Sequence, residues 1–372
     1  MSVALDRINL ARFRNHAATL LEGTGRFNLL VGENGAGKTN VLEALSLFAP
    51  GRGLRRANLA DMAEAPGPGG FAAGADLATA AGPVRLGTAT TPERPGRRLV
   101  QVNGAEVPAV RLGEWLAIGW LTPAMDRLFM EGAGARRRFL DRLVLALDPG
   151  HARNAARLEQ SLRERNRLLA DPAEPDPAWL DAIEAQVAEA GALVARARAE
   201  LVGRLAAALA ALPASPFARP EIAYMPGGPV EAGALAAALR EGRRRDRAAQ
   251  RTLTGPHRDE LAVAMSGKGA GRGAGTGQPA AECSTGEQKA MLIALTLAHS
   301  GLLGPERPAV LLLDEVAAHL DPVRREALFE RLASGPAQVW LTGTEPAPFA
   351  PILGQAAAWR VEDGRAVRFS GR

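Results

Sequence analysis

The sequence predicts an α/β fold: a β-rich N-terminal lobe and a parallel-sheet lobe that together make one head, split by an inserted short helical arm. Three observations lead there. Short apolar runs alternate with turns at the start, the middle from about 136 to 212 turns helical, and the last hundred residues alternate helix and strand. At 372 residues the chain is long enough for a large core and more than one domain. The expected division is 1–125 for the first part of the head, 126–250 for the helical insertion and 251–372 for the rest of the head.

Taken in order, "RINLARF", "RFNLLVG", "VRLGTAT" and "RLVQVNG" read as strands. In the helical stretch Leu180, Ile183, Val187, Ala190, Val194, Ala197 and Leu201 follow a 3–4 spacing. Asp176 and Pro177 supply an N-cap and a first-turn proline. The preceding helix carries Leu158, Leu162 and Leu169, and "ADPAEPDP" (170–177) turns between the two. The pattern predicts an antiparallel helical hairpin, with an ordinary helical subdomain as the alternative. The Gly-rich stretch 266–281 predicts a flexible loop. Beyond it come a helix (287–299), a strand (309–314), a helix (322–333), a strand (338–342) and a closing hairpin around Asp363 and Gly364.

Bulk properties narrow the function classes. No run of 18 apolar residues is present, so no membrane span is expected. Asp6 and Arg7 interrupt the start where a signal peptide needs an apolar core, which points to a cytoplasmic protein. Cys283 is the one cysteine, so no internal disulfide can form. The net charge of +5 favours acidic partners, nucleic acid first. Only Lys38, Lys268 and Lys289 among the 45 basic residues are lysine, however, so arginine clusters partly reflect composition.

"FNLLVGENGAGKTNVLEAL" contains Gly32-x-x-x-x-Gly37-Lys38-Thr39, a P-loop between an apolar strand and a helix. Gly32, Glu33, Asn34, Gly35, Ala36 and Gly37 would wrap backbone N–H groups around phosphates, and the helix start adds its positive dipole end. Lys38 would reach the β- and γ-phosphates of ATP, and Thr39 would bind Mg²⁺. "PAVLLLDEVAAHLD" (308–321) ends an apolar strand in Asp314 and Glu315. Asp314 would hold the Mg²⁺ shell, and Glu315 would orient and deprotonate the attacking water.

"CSTGEQKAMLIAL" (283–295) has Ser284 three positions before Glu287, the spacing of a capping box. The order of P-loop, long insertion, Ser284-x-Gly286-Glu287-Gln288 and acidic strand resembles the ABC ATPases. That resemblance implies that Ser284, Gly286 and Gln288 face ATP held by a second copy of the chain.

A narrower resemblance spans about residues 5–345. "INLARFRNH", "GENGAGKTNVLEAL", "GRGLRR", "TPAMDRLFMEGAGARRRFLDRL", "TGPHRDEL" and "STGEQKAMLIALTLA" occur in this order and are similar to the RecF family of bacterial recombination mediators. It implies an ABC-type ATPase head with short arms that binds double-stranded and gapped DNA, dimerises on ATP and is released by hydrolysis. It further implies work with RecO and RecR in loading recombinase on gapped DNA, in replication restart and in the SOS response. Arg14 and Asn15 match an early element that lies near the nucleotide in related heads, and Asp321 falls in the D-loop. Two departures stand out. His319 occupies a D-loop position that is more often acidic, and "VWLTGTE" offers Thr342 and Thr344 where transporter-type relatives have a switch histidine.

For DNA, the candidate contacts are Arg136–Arg138, Arg243–Arg245 with Arg247 and Arg251, and Arg52, Arg55 and Arg56. Aromatic residues make up 4% of the chain, which favours duplex backbone contact over base stacking. The alternative reading, the ATPase subunit of a membrane transporter, is disfavoured by the long helical insertion and the missing histidine.

Overall fold

The computed structural model describes residues 4–173, 175–213, 215–266, 277–304 and 307–369. It divides into two compact units. The first comprises residues 1–126, 213–217 and 295–372, and the second 127–212 and 218–294.

In the first unit an antiparallel sheet holds, in spatial order, the strands His16–Leu21, Leu5–Phe13, Phe71–Thr79, Gly82–Thr91, Arg94–Val102 and Ala105–Glu106. A second sheet holds Arg365–Phe369, Ala356–Glu362, Phe27–Val31, Gln338–Gly343, Ala309–Leu313 and Ala117–Leu121. All its pairs are parallel except the closing hairpin. The strand Phe27–Val31 is buried at every position, as is Ala309–Leu313. Strands of a parallel sheet covered on both faces have no solvent side, so their sequences are nearly all apolar; the exception, Asn28, satisfies its amide on the Gly25 backbone. One core joins the two sheets and the helix Lys38–Ser46, with Ile8, Phe13 and Phe71 from the first sheet and Leu30, Trp340 and Trp359 from the second. Gln338 ties the sheets at the backbone level. Its side chain accepts from the Leu5 N–H and donates to the Leu5 carbonyl, both at 2.9 Å.

The second unit is built on the helices Ala133–Leu147, His151–Ala170 and Pro177–Ala211. The last starts as the sequence predicts: Asp176 caps it through the Ala178 N–H at 2.9 Å, and Pro177 occupies the first turn. The latter two helices run antiparallel, since Arg157 pairs with Glu189 and Arg165 with Glu184. Leu158, Leu162 and Leu169 meet Leu180, Ile183, Val187 and Val194 in their seam. The unit extends past residue 250 because a small sheet of Pro220–Met225, Glu260–Met265 and Gln278–Pro279 belongs to it. Of the expected 266–281 loop, residues 267–276 lie outside the described residues. No helix among the described residues is long and apolar enough to cross a membrane.

Candidate nucleotide site

Adjacent parallel strands bring the P-loop and the acidic pair together. Val31 pairs with Gly343, and Leu341 pairs with Leu313, so Gly32, Thr342 and Asp314 emerge side by side at the C-terminal edge of the sheet. Ligands bind at that edge in open α/β sheets. The Gly32 N–H donates to the Gly343 carbonyl at 3.2 Å, and the Asp314 N–H to the Leu121 carbonyl at 2.9 Å. Both motifs are therefore anchored to the sheet.

Glu33, Asn34 and Gly35 form the exposed crest of the loop, and Ala36 is partly covered. Gly37 enters the helix at φ 116°, and a Cβ there would lie 2.7 Å from Asn15 Oδ1. Only glycine fits that backbone in that space. The helix Lys38–Ser46 has no acidic residue in its first turn, so its positive end is uncompensated by side chains. Lys38 Nζ bends over the loop and donates to the carbonyls of Gly32 (2.6 Å) and Glu33 (2.7 Å). Burial lowers its pKa, while the carboxylates of Glu315 and Asp314 act to raise it.

The Thr39 hydroxyl lies 2.9 Å from Asp314 Oδ1 and 3.1 Å from Oδ2. Burial raises the Asp314 pKa, hydrogen bonds from Thr342 and Thr39 oppose this, and Glu315 adds to it. A hydroxyl next to a buried carboxylate is a hard-oxygen pair suited to Mg²⁺, which takes few protein ligands and completes its shell with phosphates and water. Among the described residues no group of three or more His, Cys, Asp or Glu side chains could hold a metal alone. Glu315 follows at φ 52°, a left-handed conformation uncommon for a side chain of its size. Thr342 Oγ1 donates to Asp314 Oδ1 at 2.8 Å and accepts from the Glu315 N–H at 2.9 Å.

Arg14 and Asn15 sit beside the loop as braces. Arg14 forms a bidentate pair with Glu43 (2.8 and 2.9 Å), whose side chain is fully buried, and donates to the Asp61 carbonyl. Its guanidinium is thus engaged with the helix behind the P-loop. Asn15 donates to the Ala36 carbonyl at 3.0 Å and accepts from Asn40 at 2.7 Å. His16, to which no sequence motif gives a role, is buried and bonds the Gly37 carbonyl at 3.0 Å through Nε2. Burial lowers its pKa, against the backbone bonds to Gly37 and Gly364; because a carbonyl can only accept, the Gly37 contact requires the hydrogen on Nε2. No spacing rule ties a strand-start histidine to a loop residue 21 positions later, so only the fold reveals this contact.

In the second unit, Ser284 begins the helix Thr285–Gly301 with the expected capping box. The Ser284 N–H donates to Glu287 Oε2 at 2.9 Å, and the Glu287 N–H reaches Ser284 Oγ at 3.4 Å. Ser284 and Gly286 are exposed. Gln288 differs: it is buried and its amide donates to the Cys283 carbonyl at 2.9 Å. The side chain braces the turn from inside, because the helix start rotates position 288 toward the core. Asp321 caps the helix Pro322–Ser334 through the Arg324 N–H at 2.9 Å. The His319 side chain lies outside the described residues.

Much of the arginine count is structural. Arg136 pairs with Glu260, Arg137 donates to the Asp259 carbonyl, Arg243 pairs with Glu184 and Asp181, Arg245 donates to Thr254, Arg247 to carbonyls of 171–173, and Arg55 pairs with Glu43. Arg52, Arg138, Arg244 and Arg251 are exposed.

Residues 4–347 match the RecF/RecN/SMC N-terminal domain. The chain is 46% identical to the DNA replication and repair protein RecF of Mesorhizobium japonicum, over 97% of this chain and 96% of that protein. It is 45% identical to RecF of Rhizobium rhizogenes, over 97% and 98% of the two chains. Its fold is similar to that of the recombination mediator protein RecF-ATP of the RecFOR pathway, with a TM-score of 0.84, 22% identity and coverage of 98% and 97%. The Smc head domain of Pyrococcus furiosus is a more distant match, with a TM-score of 0.54, 15% identity and coverage of 99% and 96%.

Proposed function

The chain belongs to the RecF family of DNA replication and repair proteins and is an ABC-type ATPase, and from that premise we propose that it is an ATP-operated switch on DNA. ATP bound at the P-loop closes two copies around DNA, and hydrolysis releases them. The observation that carries this reading is the approach of Thr39 to Asp314 at 2.9 Å, with Lys38 and Glu315 flanking it.

The loop Gly32–Gly37 and Lys38 hold the phosphates. Thr39 and Asp314 are the protein's ligands for Mg²⁺, which when bound neutralises charge developing on the phosphate oxygens. Glu315 orients a water for in-line attack and takes its proton. The bond from the γ-phosphorus to its bridging oxygen breaks, giving ADP and phosphate. Arg14 and Asn15 act indirectly, by holding the loop in shape. Ser284 and Gly286 are exposed in each copy and approach the γ-phosphate bound by the other. Gly286 supports this: a Cβ there meets nothing within 4 Å among the described residues, so nothing there accounts for a glycine in a helical turn.

DNA is held through exposed arginines, among them Arg52, Arg138, Arg244 and Arg251, as sequence-independent phosphate contacts. Following the RecFOR context of its structural relatives, the switch works with RecO and RecR in placing recombinase on gapped DNA. A test is phosphate release together with binding of a fluorescent ATP analogue. Lys38→Ala loses both, whereas Glu315→Gln keeps binding and loses release by about 100-fold or more. Unchanged release by Glu315→Gln overturns the catalytic assignment.

A further inference from the structure

We infer that Thr342 is a positioning residue that sets both the metal-facing carboxylate of Asp314 and the backbone of Glu315; the inference rests on the roles proposed for those two residues. Thr342 stands on the central strand between the one that delivers the P-loop and the one that delivers the acidic pair. It is 1% exposed, and its hydroxyl has one hydrogen to give. That hydrogen goes to Asp314 Oδ1 at 2.8 Å, and a lone pair of the same oxygen takes the Glu315 N–H at 2.9 Å. One atom therefore fixes two consecutive residues.

Each bond has a separate consequence. The bond to Oδ1 fixes the rotation of the Asp314 carboxylate, so both of its oxygens stay within 3.1 Å of Thr39. The bond from the Glu315 N–H anchors a residue held at φ 52°, and that left-handed turn decides where the Glu315 carboxylate leaves the strand end. A shift of this carboxylate by an ångström misplaces the water it must orient. Thr342 makes neither of these bonds to the P-loop backbone, so nucleotide affinity should not depend on it.

Valine has nearly the shape of threonine and no hydroxyl. In Thr342→Val, Asp314 loses a donor and the Glu315 N–H loses its acceptor, while packing is kept. Serine keeps the hydroxyl. The experiment compares wild type, Thr342→Val, Thr342→Ser and Glu315→Gln for three readouts: steady-state kcat, affinity for a fluorescent ATP analogue, and Mn²⁺ affinity by electron paramagnetic resonance with a non-hydrolysable analogue bound. Thermal melting confirms folding of each.

The expected result for Thr342→Val is a kcat lowered about 10- to 100-fold, nucleotide affinity measured without divalent metal within about twofold, and Mn²⁺ binding weakened about tenfold. Thr342→Ser should stay within about threefold of wild type in all three. A folded Thr342→Val with wild-type kcat and Mn²⁺ affinity overturns the inference while Glu315→Gln remains inactive. Equal losses in the Ser and Val variants also overturn it, since the hydroxyl would then not be the cause. If Glu315→Gln hydrolyses ATP normally, it is the underlying assignment of Glu315 that fails.

Discussion

Gly286 illustrates how one residue separates a folding demand from a functional one. Glycine in a helix costs up to about 1 kcal/mol relative to alanine, and no described neighbour crowds the position. Gly286→Ala should therefore melt at the same temperature or slightly higher, yet lose ATP-dependent association. A variant that loses stability instead would show that the glycine serves the fold. Asp141 offers a pH test at the same scale. Burial opposes its ionisation, but bonds from His151 and Arg198 at 2.8 Å outweigh this and hold its pKa below the usual value. The folded pKa is depressed, so its contribution is full above the unfolded value of about 3.9 and is lost as pH falls through the folded one. The gap in melting temperature between wild type and Asp141→Asn should narrow below about pH 4. A gap independent of pH would remove the ionised carboxylate from the account.

Motif spacing made Lys38, Thr39, Asp314 and Glu315 legible in advance, because a P-loop and an acidic strand end each carry their own local signature. Thr342, His16 and the Arg14–Glu43 pair were not legible in the same way. Thr342 could be named but given no role, since its partners depend on the register of two parallel strands. The signature resemblance grouped Gln288 with Ser284 and Gly286, and only the rotation of the helix start shows its side chain facing the core.

Among the elements, the antiparallel helices of the second unit hold a charge cluster inside an apolar seam. Arg165 is fully buried and bonds Glu184 at 3.0 Å, Asp246 at 2.8 Å, Thr252 at 2.8 Å and the Leu239 carbonyl at 2.9 Å. Arg165→Met would take from buried Asp246 its close ion-pair partner and leave Glu184 with Arg243 alone, and removing one partner of a buried ionic group costs about 3–5 kcal/mol. Urea unfolding should show that loss, and a change below about 1 kcal/mol would mean the cluster relaxes into water. The helices themselves were readable from heptad spacing and from the Asp176–Pro177 start. The small sheet beside them was not. Its strands Pro220–Met225 and Glu260–Met265 lie 34 residues apart, with two helices between, so no hairpin signal joins them. Which arginines of each run pair inside the protein was hidden for a related reason. Glu260, the partner of Arg136, lies 124 residues away, and Glu184, the partner of Arg243, lies 59.

At the scale of the whole molecule the central claim is that one chain carries two halves of an ATP site, and that the halves meet between copies. In the proposed switch the P-loop, Thr39, Asp314 and Glu315 make the half in the first unit. Ser284 and Gly286 form an exposed helix start in the second. The most direct measurement is mass by light scattering on Glu315→Gln, with and without ATP and with and without gapped duplex DNA. The account predicts the 39.0 kDa monomer without ATP and a dimer of twice that mass with it. The dimer should hold DNA more tightly, and adding Ser284→Arg should abolish both effects. If ATP leaves mass and DNA affinity unchanged, Ser284 is a helix cap and the switch between two copies is contradicted.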